Sequence, residues 1–255
     1  MAVIALTSAS GSPGVTTTCL GLALCWPRPV LLVEADPTGG SGVLAGYFRG
    51  TREYRAGLIE LALTGTDLAE ALADVAEPIA DTHVSFVAGT RSHTQAAALR
   101  DLWEPLAGVL AELESAGQDV IIDAGRLGLM GAPTPLLDRA DMTLVVTRTS
   151  LPALAAVRSW GDLVARSLSG WADARLLLVG EGDPYRSREV TAAVKLPVLA
   201  SLADDPDSAA VFHRGAAPPT KFDTGPLVRS LNATVAAIHA AIRAHRLDLV
   251  EGAAR

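Results

Sequence analysis

The sequence contains no apolar run long enough to cross a bilayer. Its longest stretches, such as VLLVEA and VIID, fall far short of the roughly 20 residues that a spanning helix needs. Its first residues show neither the basic start nor the cleavage site of a secretory signal, so the expectation is a soluble, cytoplasmic protein. Cysteine is scarce: Cys19 and Cys25 stand six apart on what reads as one helix. That is too far along the axis for a disulfide and unlike the close spacing of a zinc ribbon, so both read as core residues. The five histidines form no paired-ligand pattern, which argues against a metal held by side chains alone. Lysine is nearly missing, with Lys195 and Lys221 the only two among 21 basic residues, and the net charge is −7. This balance argues against a protein that coats nucleic acid by bulk charge, while leaving room for a local basic patch.

What is present suffices for a sizeable core, since 49% of the 255 residues are apolar. Short β-branched or Leu-rich runs alternate with longer Ala/Leu-rich segments. Strands are expected at 2–7, 30–34, 84–88, 120–123, 143–147, 175–179 and 198–202. Helices are expected at 16–24, 58–63, 67–73, 94–116, 151–167 and 187–194, with an amphipathic closing helix from Pro226 to about Leu249. Strands apolar on both faces and separated by helices predict an α/β fold, a mostly parallel sheet with helices on both faces. A single domain over residues 1–250 is expected, with a flexible tail at 251–255. The stretch Asp204–Asp223, rich in Pro and Gly, reads as a mobile surface coil.

The stretch Ser10–Thr18, SGSPGVTTT, follows the first strand and opens the first helix. In parallel sheets, ligands collect at the carboxyl ends of strands, where helix N-termini present unpaired N–H groups. Gly11 and Gly14 permit a tight backbone path, and Thr16 and Thr17 place hydroxyls in the first helical turn, suited to Mg²⁺ beside phosphates. The match to the usual G-x-x-x-x-G-K-[ST] loop is partial: Ala9 stands at the first Gly and Val15 at the Lys. A ligand-free strand-to-helix turn has the same local composition. The second strand ends in a carboxylate pair, Glu34 and Asp36, which face the same way while the chain stays extended, and VIIDAG ends another strand with Asp123. A strand-end Asp also serves as a turn former or helix cap.

With these three features in order, the chain resembles the MinD/ParA family of dimer-forming P-loop ATPases along nearly its whole length. The family's deviant Walker A motif, K-G-G-x-G-K-[ST]-T, lies over Ser10 to Thr17, keeping Gly11, Gly14, Thr16 and Thr17 but replacing both lysines, by Ser10 and Val15. The resemblance implies ATP or ADP with Mg²⁺ as cofactor, held by Gly11, Ser12, Gly14, Val15, Thr16 and Thr17, with the metal at Thr16 and, through water, at Asp123. It places Asp36, in E-A-D-P-T-G, at the carboxylate that orients attacking water. Leu202 to Asp205 correspond to the base-contacting segment, which brings in Leu202 and Asp204. The Asn that often follows the preceding strand is replaced by Gly180 and Glu181. Loss of the loop lysine is similar to the CpaE/TadZ branch, which places pilus and secretion machines.

A cation against the β- and γ-phosphates matters most in the transition state of phosphoryl transfer. A hydrogen bond to a charged group contributes about 1.5–3 kcal/mol, so loss of the lysine at Val15 predicts binding weakened by very roughly one or two orders of magnitude. The rate is expected to fall further, by analogy with arginine fingers worth about 10³–10⁵ in turnover. In the family, the lysine at the Ser10 position also reaches the partner's phosphates across a homodimer. Pro13 contributes no N–H to the cradle. Arg126 and Arg148, both near strand ends, are the candidates to replace the missing charge, against the more ordinary reading of each as solvated or paired with an acidic neighbour.

Two biological readings follow. One is a nucleotide-binding switch or scaffold with weak or lost hydrolysis that positions a pilus or secretion assembly through protein partners. The other is a chromosome or plasmid partitioning ATPase that binds DNA nonspecifically as a dimer, for which Arg229, Arg243 and Arg246 would supply a basic stripe. The acidic balance and missing lysines favour the first. MinD itself carries a C-terminal membrane-targeting helix. Here the final helix is Ala-rich and lacks Trp or Phe, so Ile238 and Ile242 are expected to pack on the domain rather than make peripheral membrane contact.

Overall fold

A computed structural model describes residues 2–10, 13–113, 115–165, 171 and 173–253. The described strands are β1 (Val3–Ser8), β2 (Val30–Glu34), β3 (Glu77–Pro78), β4 (Val84–Val87), β5 (Asp119–Arg126), β6 (Met142–Arg148), β7 (Ala174–Val179) and β8 (Val198–Leu202). They form one sheet in the order β3-β4-β2-β5-β1-β6-β7-β8. Every pairing is parallel except β3 with β4. The expected parallel α/β sheet is therefore the observed one. The two-residue β3 has no apolar run to announce it.

Alternation along each strand divides the core in two. Ile4, Leu6, Leu32, Phe86, Ile121 and Leu144 face α1 (Val15–Leu24) together with the C-terminal helices. Val3, Ala5, Leu31, Val33, Val120 and Ile122 face the opposite side. That side is covered by α2 (Leu58–Ala62), α3 (Leu68–Val75), α4 (Trp103–Glu112) and α5 (Thr134–Arg139). Val145, Leu176 and Leu178 extend the core toward α6 (Leu151–Ala165) and α7 (Ser187–Val194). Cys19 is buried and Cys25 half-buried, both as free thiols packed against the α1 side.

Three expectations need correction. The helix expected over 94–116 is two pieces, a 3₁₀ stretch His93–Leu99 and α4. Pro105 explains the break, because a residue without N–H fits the first turn of a helix but not its interior. The coil expected at 204–223 contains α8 (Pro206–Arg214), whose Val211 and Phe212 are buried. Asp205 caps it by accepting from the Ser208 amide at 3.1 Å. The short α5 is also helical where no helix is expected from the sequence.

The closing helix α9 (Pro226–Ala253) buries Leu231, Val235, Ile238 and Ile242 against the sheet side that also carries α1. Ile238 and Ile242 thus pack on the protein, as expected. The helix backbone continues to Ala253, and residues 254 and 255 of the expected tail lie outside the described residues. No described helix is long and apolar enough to cross a membrane.

Candidate phosphate-binding site

The chain leaves β1 at Ser8 and enters α1 at Val15, with Gly14 between them in the left-handed region at φ 93°. The Gly14 carbonyl accepts the first helical bond, from the Thr18 amide at 2.8 Å. The amides of Val15, Thr16 and Thr17 therefore precede the helical ladder, and among the described residues no side chain caps them. These outward donors at the positive end of a ten-residue helix are the physical requirement for an anion cradle. Gly11 and Ser12, also assigned to this cradle from the sequence, lie outside the described residues.

Thr16 and Asp123 meet directly, with Thr16 Oγ1 donating to Asp123 Oδ2 at 2.5 Å. A Cβ on Gly42 would stand 2.6 Å from the Thr16 methyl, so that backbone helps hold the hydroxyl toward Asp123. The other Asp123 oxygen accepts from the Gly125 amide at 3.0 Å. Asp123 lies at the end of β5 with 1% exposure, and burial pushes its carboxyl up to about 6. The Thr16 hydrogen bond opposes this rise, and the nearby charge of Asp36 adds to it. A divalent cation here would favour the ionised form and offset the mutual repulsion of these acids. The residues therefore suit Mg²⁺ held by the Thr16 hydroxyl and, through water, by Asp123.

Asp36 accepts from the Thr38 amide at 2.8 Å and lies against the backbone of Gly125. Glu34 does not share that direction. Its carboxylate accepts from the Ser41 hydroxyl and from the Val43 amide. The expectation that the pair faces one way fails because β2 ends at Glu34 and the following Pro37–Thr38 turn abolishes the two-residue period. Burial pushes Glu34 up to about 7, against the hydrogen bonds from Ser41 and Val43. It secures the loop after β2 and does not join the cradle.

Two clefts flank the loop. The first, about 680 Å³ and open, is lined by Val15, Thr16, Asp36, Thr38 and Arg126. The second, about 460 Å³, reaches from Gly14 and Thr17 past Leu202 and Asp204 to the apolar Phe212 and Leu231. The structure thus gathers Val15, Thr16, Asp36 and Asp123 on one side and Gly14, Thr17, Leu202 and Asp204 on the other. Val15 is buried at 7% exposure and belongs to the core as well as to the first cleft wall. Arg148 is paired with Asp204 by contacts of 2.6 and 3.3 Å at the second cleft. Thr38 and Phe212 are cleft-lining residues that sequence reasoning missed. Only Phe212 had a usable signal, through the Asp205-Pro206 start of its helix.

No protein-family model and no curated protein sequence matches the chain. Solved structures do. The septum site-determining protein MinD from Pyrococcus horikoshii, complexed with Mg-ADP, is 18% identical over 92% of this chain and 94% of its own, with a TM-score of 0.71. A ParA family ATPase from Chlorobium tepidum is 14% identical over 92% of this chain and 97% of its own, with a TM-score of 0.72. The MinC:MinD cell division protein complex from Aquifex aeolicus gives 12% identity over 94% and 96%, with a TM-score of 0.70. Over more than nine-tenths of its length the chain therefore has the fold of the MinD/ParA P-loop ATPases.

Proposed function

We propose that this protein is an ATP-binding switch or scaffold of MinD/ParA type, with hydrolysis slow or lost, acting as a homodimer that positions a pilus or secretion assembly. The observation that carries the reading is the unequal state of the site. Gly14, the free α1 amides, the Thr16–Asp123 pair and Asp36 are all in place, while the lysine position is filled by Val15, embedded in the core. Ground-state binding draws on the backbone donors and the metal position. Phosphoryl transfer depends in addition on cations that act on the transition-state charge. Such a site is expected to keep binding better than turnover.

Mg-ADP in the horikoshii MinD structure supports the nucleotide class, and the MinC:MinD complex supports a protein partner. Arg246, one of three arginines that could make a DNA-binding stripe on α9, is paired with Asp141 at 3.2 Å. This supports a protein-directed role over a DNA-coating one.

Calorimetry with ATP and ADP in Mg²⁺, combined with a phosphate-release assay, tests the reading. Saturable binding with negligible turnover is expected. Turnover of several per minute that disappears in Asp36→Ala overturns the loss of hydrolysis, and absence of any nucleotide binding overturns the switch itself.

A further inference from the structure

The lining of the first cleft includes one acidic side chain, Asp36, and one basic side chain, Arg126, while the buried Asp123 is held by the hydroxyl of Thr16, another of its lining residues. We propose that Arg126 supplies the phosphate-directed cation that the loop no longer carries, so that the terminal phosphates of a nucleotide lie between the α1 amides and the end of β5. This rests on the nucleotide-binding reading above and names the residue on which that binding depends.

The geometry favours Arg126 by position. In the β1–β5 register, Arg126 stands opposite Ser8, the last strand residue before the loop. The backbone on both sides of Arg126 is fixed. The Thr7 hydroxyl donates to the Gly125 carbonyl at 3.1 Å, and the Leu127 amide donates to the Ser8 carbonyl at 2.9 Å. The backbone that carries Arg126 is thus a fixed strand end beside the loop, from which its long exposed side chain can turn toward an arriving ligand.

Availability points the same way. Among the described residues, the exposed Arg126 side chain has no hydrogen-bond or ion-pair partner, although it shares a cleft with Asp36. Arg148 is already engaged by Asp204 and lines the other cleft. A phosphate entering the first cleft meets the Asp36 carboxylate, which opposes it, so an added cation stabilises the bound anion beyond what the amides supply. Arginine remains charged at any working pH and offers a planar fork of donors matched to phosphate oxygens. It cannot reproduce the lysine's approach from within the loop, which is consistent with retained binding and weak turnover.

The test compares unaltered protein with Arg126→Ala, Arg126→Lys and Thr16→Ala by calorimetric titration with ATP and with ADP, in Mg²⁺. Because Arg126 is exposed, its replacement is expected to leave the thermal melt unchanged, and a circular dichroism melt checks this. Arg126→Ala is expected to weaken ATP binding by roughly 10- to 100-fold, as for loss of a charge-assisted hydrogen bond. The loss should be larger for ATP than for ADP, and Arg126→Lys should recover part of it. If Arg126→Ala binds ATP as tightly as the unaltered protein while Thr16→Ala does not, the assignment of Arg126 fails and the nucleotide site stands. If the unaltered protein binds neither nucleotide, both fall.

Discussion

The carboxyl carbon of Asp36 lies 2.3 Å from the point at which a Cβ on Gly125 would stand. At φ 61°, Gly125 is also in the left-handed region, where a side chain adds roughly 1–2 kcal/mol of strain. The loop after β2 and the end of β5 are therefore fitted to each other through a missing side chain. Gly125→Ala should destabilise the protein by more than the backbone term alone, because Asp36 must also move. In Asp36→Ala/Gly125→Ala the clashing carboxyl is gone, so the glycine substitution should be milder in that background by about 1 kcal/mol or more. Urea denaturation of the four proteins measures the difference. Additive effects would mean that the two groups do not press on each other.

Asp119 anchors the opposite end of β5. Fully buried, it accepts from the Ala2 amide, Trp26 Nε1 and Arg28 Nη2, each at 2.7 Å. Asp119→Ala leaves two buried donors and the half-exposed Arg28 without their acceptor. The expected loss is about 3–5 kcal/mol, the range for breaking a buried charged network. Asp119→Asn keeps one acceptor oxygen but turns an amide donor toward the remaining donors, so it should recover only part. The denaturation midpoints should fall in the order unaltered protein, Asn, Ala.

How much of this was legible in the sequence depends on whether the signal is local. β2 and β8 appear at their expected bounds because turn residues enclose compact apolar runs. The α1 start was readable from Gly14 and the two threonines, since a cradle is built from neighbours in the chain. The break before α4 was also local, at Pro105, and was overridden by the long Ala/Leu pattern around it. α8 carried an Asp205-Pro206 start and a Gly215 stop, yet nearby Pro and Gly made the stretch read as coil. What could not be read is non-local. The separation of Glu34 from Asp36 depends on where β2 stops, and the placing of Arg126 opposite Ser8 depends on strand register. Sequence alone offered Arg126 and Arg148 on equal terms. Only the fold brings Asp204 to Arg148.

Glu34 gives the protein a pH dependence of stability. Burial holds its folded-state carboxyl at about 7, while an unfolded glutamate titrates at about 4.3. Below about pH 4 both states carry the proton. As pH rises toward about 7 the unfolded chain releases its proton first, so stability falls by up to about 4 kcal/mol and then levels off. Asp123, raised to about 6, contributes in the same direction. Glu34→Gln removes the Glu34 part. Its carbonyl can still accept from the Val43 amide, and the Ser41 hydroxyl can reverse to accept from the new amide group. The variant should show a shallower decline between about pH 4 and 7, measured by denaturation in metal-free buffer. An unchanged slope would remove Glu34 from the account.

Val15 offers the most direct test of what the loop lost. It stands at the start of α1, 7% exposed, with one side in the core and the other on the cleft that holds Thr16 and Asp36. A lysine here can bury its methylene stem where the valine sits and extend its ammonium into the cleft. The longer stem should overpack the core by about 1–3 kcal/mol, visible as a lower melting temperature. Against that loss, Val15→Lys places a cation beside the free α1 amides and should tighten ATP binding by about tenfold or more. Turnover should rise as well, because the same cation acts on the transition-state charge, although Ser10 still leaves the second lysine position empty of charge. A folded Val15→Lys protein that binds ATP no better than the unaltered one would mean that these amides do not face a phosphate. In that case the missing lysine would not explain the protein's chemistry.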